Sequence, residues 1–488
     1  MILDYIIIGI YSIALLVILL YSLAQLQLVL NYKKAKQQVS KNPIEPQEWP
    51  KVTIQLPLYN EKYVVKRLLD NISKLEYPSS QLEIQVLDDS TDESKAYTKK
   101  LTEDLIQRGI NAKYIHRTNR IDFKAGALRE GLDEAEGEFI AVFDADFLPQ
   151  PNWLKRTIPH FNTPHIGVVQ TRWGHVNRDY SLLTKIQAFA LDFHFLVEQV
   201  GRKYGGHFIN FNGTAGIWRK SCILDAGNWQ GDTLTEDLDL SYRAQLRGWT
   251  FIYLKDVVTP AELPVVLSAA RSQQFRWNKG AAENFRKNFS KIWKSNDLKL
   301  LSKLHSFFHL LNSSMFLLIL TVAILSIPIL YIKFQQESWD IIFYILAAMG
   351  SSTFIFIYGY WTSYKEIHKG GLVSFFKFVG LFIPFFSIAM GLSVHNSLAI
   401  LEGHFNKKSA FIRTPKFDIS SNTDTWKDKT YINKKLSILN GIEFLLFCYF
   451  IYGLYSAYLT QDFGLVIFHL MLTFGFGFIS FKTLFSNH

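Results

Sequence analysis

Cysteine is nearly absent: the 488 residues hold two, Cys222 and Cys448, in different regions of the chain. That excludes a disulfide framework and gives no support to a cysteine-based metal or redox centre. No G-x-x-x-x-G-K-[ST] run occurs, which argues against a P-loop nucleotidase. No basic run interleaved with aromatics reads as a nucleic-acid surface, so none is expected. Internal repeats and low-complexity segments are missing as well. A calcium loop starting at Asp88 fails, because Glu93 stands where the loop needs glycine.

Charge is missing from one long stretch. From Tyr5 to Asn31 there is no Asp, Glu, Lys or Arg, and the run exceeds the roughly 20 residues that cross a bilayer. It is too long for a signal-peptide core, and no basic residue precedes it. Lys33, Lys34 and Lys36 follow it, so residues 1–32 read as a retained anchor whose C-terminal side is cytoplasmic. The net charge of +10 suits basic loops at that face and an anionic substrate.

A polar linker, 33–50, leads into a region where strand-like runs alternate with helical ones. "VTIQLPLY" at 52–59, "LEIQVLD" at 82–88, "KYIHR" at 113–117 and "EFIAVFD" at 138–144 are the strands. Helices are expected near 61–75, 93–108 and 124–135. Such alternation predicts an α/β fold, a mostly parallel sheet with helices on both faces. Ligands gather at the carboxyl ends of strands in such sheets. Asp88, Asp89, Asp144 and Asp146 all stand at those ends. Asp144 and Asp146 share one strand face by alternation, where two like charges need a cation or proton between them.

After residue 305 the chain is apolar again. Spans are expected at 306–332, 341–362, 436–459 and 463–483. The stretch 371–401 has basic flanks on both sides: Lys365, Lys369 and Lys377, then Lys407, Lys408, Arg413 and Lys416. The positive-inside rule favours an interfacial or re-entrant segment there, with Pro384 breaking any continuous helix. Five spans result. The domains are then 1–32 anchor, 33–50 linker, 51–264 catalytic domain, 265–304 interfacial helices and 305–488 membrane domain, with a cytoplasmic loop at 402–435.

Four short motifs carry the chemistry. "VLDDSTDES" offers Asp88 and Asp89. "FDADF" offers Asp144 and Asp146, hard oxygen ligands suited to Mg²⁺ or Mn²⁺ together with substrate phosphates. "TLTEDLDL" puts Thr235, Glu236 and Asp237 ahead of an amphipathic helix, where a cap followed by first-turn acids is the plainer reading. "RSQQFRWNKG" holds Gln273, Arg276 and Trp277, and alone would serve as a basic helix lying on a membrane.

In that order, D, D-x-D, T-E-D and Q-x-x-R-W, the motifs resemble the family 2 inverting glycosyltransferases of GT-A fold, which include cellulose, chitin and hyaluronan synthases. "QQFRWNKGAAENFRK" is similar to cellulose synthase-like mannan and glucan synthases. "FIRTPK" at 411–416 resembles the F-x-V-T-x-K gating loop of cellulose synthases, with Arg413 in place of the valine. The resemblance implies a GT-A domain between an N-terminal helix and a helical membrane domain. Two departures are a single span before the catalytic region and no cyclic-dinucleotide-binding domain after it, so regulation of that kind is not expected.

The resemblance implies Asp237 as the base that takes the proton of an acceptor hydroxyl, with Glu236 and Asp146 beside it. It implies Asp144 and Asp146 on a divalent cation that stabilises the leaving diphosphate, with Arg276 adding a bidentate contact. Asp88, Asp89, Lys124, Gln273, Thr414 and Lys416 are expected on the donor nucleotide sugar. Trp277, Asn212 and Gly213 are expected on the acceptor. The implied enzyme is metal-dependent and multi-pass in the plasma (inner) membrane, and its catalytic domain is cytoplasmic. It extends a β-linked polysaccharide from UDP-glucose or GDP-mannose and passes the chain through its own helices. Transfer of one sugar to a membrane lipid is the alternative, which the gating loop and the five spans disfavour. A transporter is disfavoured because the spans carry few ionisable groups, chiefly His309, Glu443 and His469.

Overall fold

The computed structural model describes residues 1–37, 43–409, 412–421, 423–426 and 437–485. The expected strands appear within a residue or two: β1 (Val52–Leu58), β2 (Leu82–Asp88), β3 (Ala112–His116) and β4 (Phe139–Val142). Three more follow, β5 (Ile166–His175), β6 (Gly216–Arg219) and β7 (Thr250–Ala261). They form one sheet in the order β3-β2-β1-β4-β6-β5-β7, parallel except at β6. This is a GT-A-like mixed sheet. Apolar runs such as Ile54, Leu56 and Val86 are fully buried because helices cover both faces.

The sheet's geometry opens a cleft. β4 pairs with β1 only from Val52 to Gln55, while β2 pairs as far as Leu58. At Pro57, which has no N–H to donate, β1 therefore has a neighbour on one side only. The chain beyond these strand ends is free to build a site.

Among the described residues, six helices are long and apolar enough to cross a membrane, the pattern of a multi-pass membrane protein. They are Ile2–Lys36, Leu300–Gln335, Asp340–His368, Leu372–Gly391, Ile438–Thr460 and Val466–Phe485. Leu372–Gly391 is the one not expected as a span. It runs unbroken through Pro384, which corrects the expected break. A proline removes one hydrogen bond and crowds the preceding turn, but packing here holds both halves. Phe378 packs tilted and Phe385 edge-on against Phe189, and a Cβ on Gly475 would overlap the Ser387 carbonyl, so the two backbones touch.

The first helix is clasped by the catalytic domain. Val29 and Tyr32 share a buried cluster with Phe193, Leu196 and Val197. His305 and Gln27 are joined at 2.7 Å, and Tyr21 donates to Asn312 at 2.6 Å. The long helix Leu267–Lys294 carries the Q-x-x-R-W run and packs along Ser393–His404. Fully buried Lys279 bridges them, donating to Glu402 at 3.2 Å and to Ser409 at 2.7 Å.

Candidate active site

One pocket gathers thirteen of the fourteen expected site residues. Asp89, Lys124, Asp144, Asp146, Asn212, Gly213, Glu236, Asp237, Gln273, Arg276, Trp277, Thr414 and Lys416 all line it. They converge from seven places: the ends of β2 and β4, the loop before β6, the starts of the helices Phe123–Glu134 and Glu236–Leu246, the helix Leu267–Lys294, and the 412–421 segment. Asp88 is the exception. It is fully buried and accepts from Tyr114 Oη at 2.8 Å and from the Ser90 amide at 2.9 Å. As the last residue of β2 it ties Tyr114 of β3 to the loop that follows, and it does not line the pocket.

Asp144 and Asp146 lie beyond the end of β4, in a turn, and not on a strand face. Each carboxylate meets its own lysine. Lys124 binds Asp144 and also donates to the Gly213 carbonyl at 2.9 Å. Lys416 donates to Asp146 Oδ2 at 2.7 Å, and the Glu262 amide donates to the same oxygen at 3.0 Å. The repulsion expected between the aspartates is thus relieved by two ammonium groups. No cluster of three or more His, Cys, Asp or Glu side chains fit for a metal exists among the described residues. Two carboxylates on one pocket nonetheless fit Mg²⁺ or Mn²⁺, which take few protein ligands and complete their shell with phosphates and water.

Asp237 sits in the first turn of the helix Glu236–Leu246. A helix N-terminus favours the anion, yet burial and the neighbouring Glu236 carboxylate push this acid up to about 7, against the pull of Lys124. Burial wins. Glu236 is raised too, mainly by burial. Thr235 precedes them without making a side-chain cap bond; its hydroxyl accepts from Asn284 at 3.0 Å instead. Gly213 has φ +80, and a Cβ there would lie 3.2 Å from Asp237 Oδ2. Glycine therefore lets the loop pass close to the carboxylate without strain. The Asn212 side chain is held by His194 at 3.1 Å and Asn210 at 2.8 Å.

Arg276 donates to Thr414 Oγ1 at 2.7 Å, which ties the Q-x-x-R-W helix to the 412–421 segment. Burial lowers the Arg276 pKa, opposed by Glu236, Asp144 and Asp237. Phe411 lies outside the described residues. Arg413, in place of valine, forms an ion pair with Glu61 at 2.7 Å, and burial raises Glu61 to about 7 despite that partner. Asp89 is held by Arg117 at 2.7 Å.

Several pocket residues have no sequence motif of their own: Tyr59, Glu61, Arg120, His175 and Glu262. Arg120 lies over the Tyr59 ring, 3.3 Å from its centroid. Tyr59, Glu61 and Glu262 follow the carboxyl ends of β1 and β7, and His175 ends β5. The strand-end rule that selected Asp88 and Asp144 would have found them too.

Residues 50–280 match the family described as Glycosyltransferase like family 2. Glucomannan 4-beta-mannosyltransferase 2 of Arabidopsis thaliana is 42% identical over 294 residues, 57% of this chain and 54% of that one. Glucomannan 4-beta-mannosyltransferase 1 of Cyamopsis tetragonoloba is 41% identical over 280 residues, 56% and 53% of the two chains. The chain spans about half the length of these curated relatives. Among solved structures, a mannosyltransferase from Pyrobaculum calidifontis in complex with GDP-Man and Mn²⁺ superposes with a TM-score of 0.55 at 19% identity. That match covers 82% of this chain and all of the other, and it speaks to the fold.

Proposed function

We propose, from the premise that residues 50–280 form a glycosyltransferase family 2 domain, that this chain is a membrane-bound inverting β-hexosyltransferase. It transfers a hexose from GDP-mannose or UDP-glucose to a growing β-linked polysaccharide and passes the product through its own helices. The observation that carries the reading is Asp237. A carboxyl raised to about 7 shares one pocket with the D-x-D pair and Arg276. A base poised there removes the acceptor proton as the hydroxyl attacks the anomeric carbon.

The donor side is cationic. Arg276, Lys124 and Lys416 face the space that a diphosphate would fill, and a guanidinium offers a two-pronged contact to phosphate oxygens. Asp144 and Asp146 are the residues that would hold Mg²⁺ or Mn²⁺, which would stabilise charge on the leaving diphosphate. Trp277 presents a half-exposed indole to the pocket, suited to an acceptor sugar face. Asn212 and Gly213 border the acceptor side, while Gln273 and Thr414 border the donor.

Mannose is the favoured hexose, because the relatives above are glucomannan mannosyltransferases. Their products are polysaccharides, which also disfavours a lipid acceptor. The basic flanks support a cytoplasmic catalytic domain, and the plasma (inner) membrane is the membrane proposed for it. The two ends of the 371–401 stretch support a return to one side: Glu366 pairs with Lys36 at 2.6 Å, and Asn406 accepts from Arg286 at 2.6 Å. The test is purified protein in nanodiscs given radiolabelled GDP- and UDP-sugars, with product sizing. Transfer of mannose into a polymer is expected. Transfer of single sugars to lipid, or none from any nucleotide sugar, overturns the reading.

A further inference from the structure

The 412–421 segment reaches the pocket from about 150 residues beyond the catalytic sheet, and something must fix where it lands. Glu262 lies one residue past β7, in "TPAELP", with its side chain almost wholly buried. Its two carboxylate oxygens accept different backbone amides of that segment. Oε1 takes Phe417 N–H at 2.7 Å, and Oε2 takes Ile419 N–H at 3.1 Å. Arg67 supports the same carboxylate at 3.3 Å and extends to Asp418 at 2.6 Å. The backbone of Glu262 faces the other way. Its N–H donates to Asp146 Oδ2 at 3.0 Å, and its C=O accepts from Lys416 Nζ at 2.8 Å.

One residue thus holds the D-x-D aspartate with its backbone and the 412–421 segment with its side chain. We infer that Glu262 is a positioning residue: its carboxylate is the dock on which the 412–421 segment seats, placing Thr414 and Lys416 over the donor site. The role rests on the reading of the pocket as a nucleotide-sugar site, but the docking itself does not. Backbone amides are the donors, so the dock reads the path of the segment and tolerates changes in its side chains. A carboxylate serves because it has an acceptor on each oxygen, whereas an amide side chain has one acceptor and one donor. The second amide, from Ile419, would then face an N–H that cannot receive it. Phe417 and Ile419 are themselves fully buried beside Val265, Val266 and Ala269, so the seat is apolar around a charged centre and the hydrogen bonds are shielded from water.

The test compares wild type, Glu262→Gln, Glu262→Ala, Lys416→Ala and the Glu262→Gln/Lys416→Ala double variant in nanodiscs. Limited trypsin digestion without substrate reads cleavage at Arg413 and Lys416 and needs no transferase activity. Cleavage at Arg413 should quicken at least about fivefold in Glu262→Gln and further in Glu262→Ala, while cleavage elsewhere stays unchanged. Transfer should fall about tenfold in kcat/KM for Glu262→Gln, yet little more when Lys416 is already gone, because the dock acts through that lysine. Equal cleavage of Glu262→Gln and wild type overturns the dock. A full tenfold loss in the Lys416→Ala background overturns its action through the loop. Faster cleavage in a protein that transfers no sugar from any donor keeps the dock and removes the function proposed above.

Discussion

Lys416 Nζ and Asp146 Oδ2 lie 2.7 Å apart although 270 residues separate them in the chain. The contact joins the membrane half of the protein to the D-x-D turn, and it places a lysine charge where substrate phosphate would arrive. A solvated charge would matter little there. Lys416→Ala should instead lower kcat at saturating donor by about tenfold or more, as for a group that completes a closed site. Steady-state kinetics at varied donor check this. An unchanged kcat would make the ion pair incidental.

Asp237 should impose an acid limb on activity. Its carboxyl is held at about 7, and only the ionised form accepts a proton. Below that value the free enzyme carries the neutral acid, so kcat/KM should drop tenfold per pH unit as pH falls, and level off above it. Asp237→Asn should lose roughly 10²–10⁴ in rate while donor affinity by calorimetry stays within a few-fold. A variant with the wild-type rate contradicts the base.

Chelation offers a separate check. With excess EDTA, transfer should vanish and return on adding Mn²⁺ or Mg²⁺; Asp144→Asn and Asp146→Asn should raise the metal concentration needed. Turnover that persists in EDTA would leave the two aspartates as partners of Lys124 and Lys416 only.

The sidedness of residue 406 can be measured. A cysteine at Asn406, with Cys222 and Cys448 replaced, should be labelled from the catalytic side and shielded from impermeant reagents on intact cells. Asn406 contacts Arg286 of the Q-x-x-R-W helix, so labelling from outside would place that helix on the wrong face.

Most of the first four strands was readable because each is a short run rich in β-branched and aromatic residues bounded by polar ones, and β2 agrees residue for residue. β5 to β7 were not assigned, since their pattern mixes Arg, Trp and Lys with apolar residues and β6 is only four residues long. Asp144 and Asp146 were found for a reason that proved incomplete: they share a pocket, but from a turn, and two lysines distant in sequence balance them. Asp88 was selected by the strand-end rule, which, carried past the ends of β1 and β7, would also have reached Glu61 and Glu262. That rule marks which residues stand near a site and is blind to which way a side chain turns. The continuity of helix Leu372–Gly391 through Pro384 depends on Phe189 and Gly475, which no local pattern could supply.

The clasp on the first helix changes what that helix is. Residues 33–50 look like a place to cut, leaving a soluble enzyme on one side and a disposable tether on the other. Val29 and Tyr32 are nevertheless buried against Phe193 and Val197, and Asn31 donates to the Gly201 carbonyl at 3.4 Å. Excision would strip a wall from the catalytic domain and bare a seam of aromatic and aliphatic surface to water. The tether is a buttress, and the protein's architecture has no detachable enzymatic half.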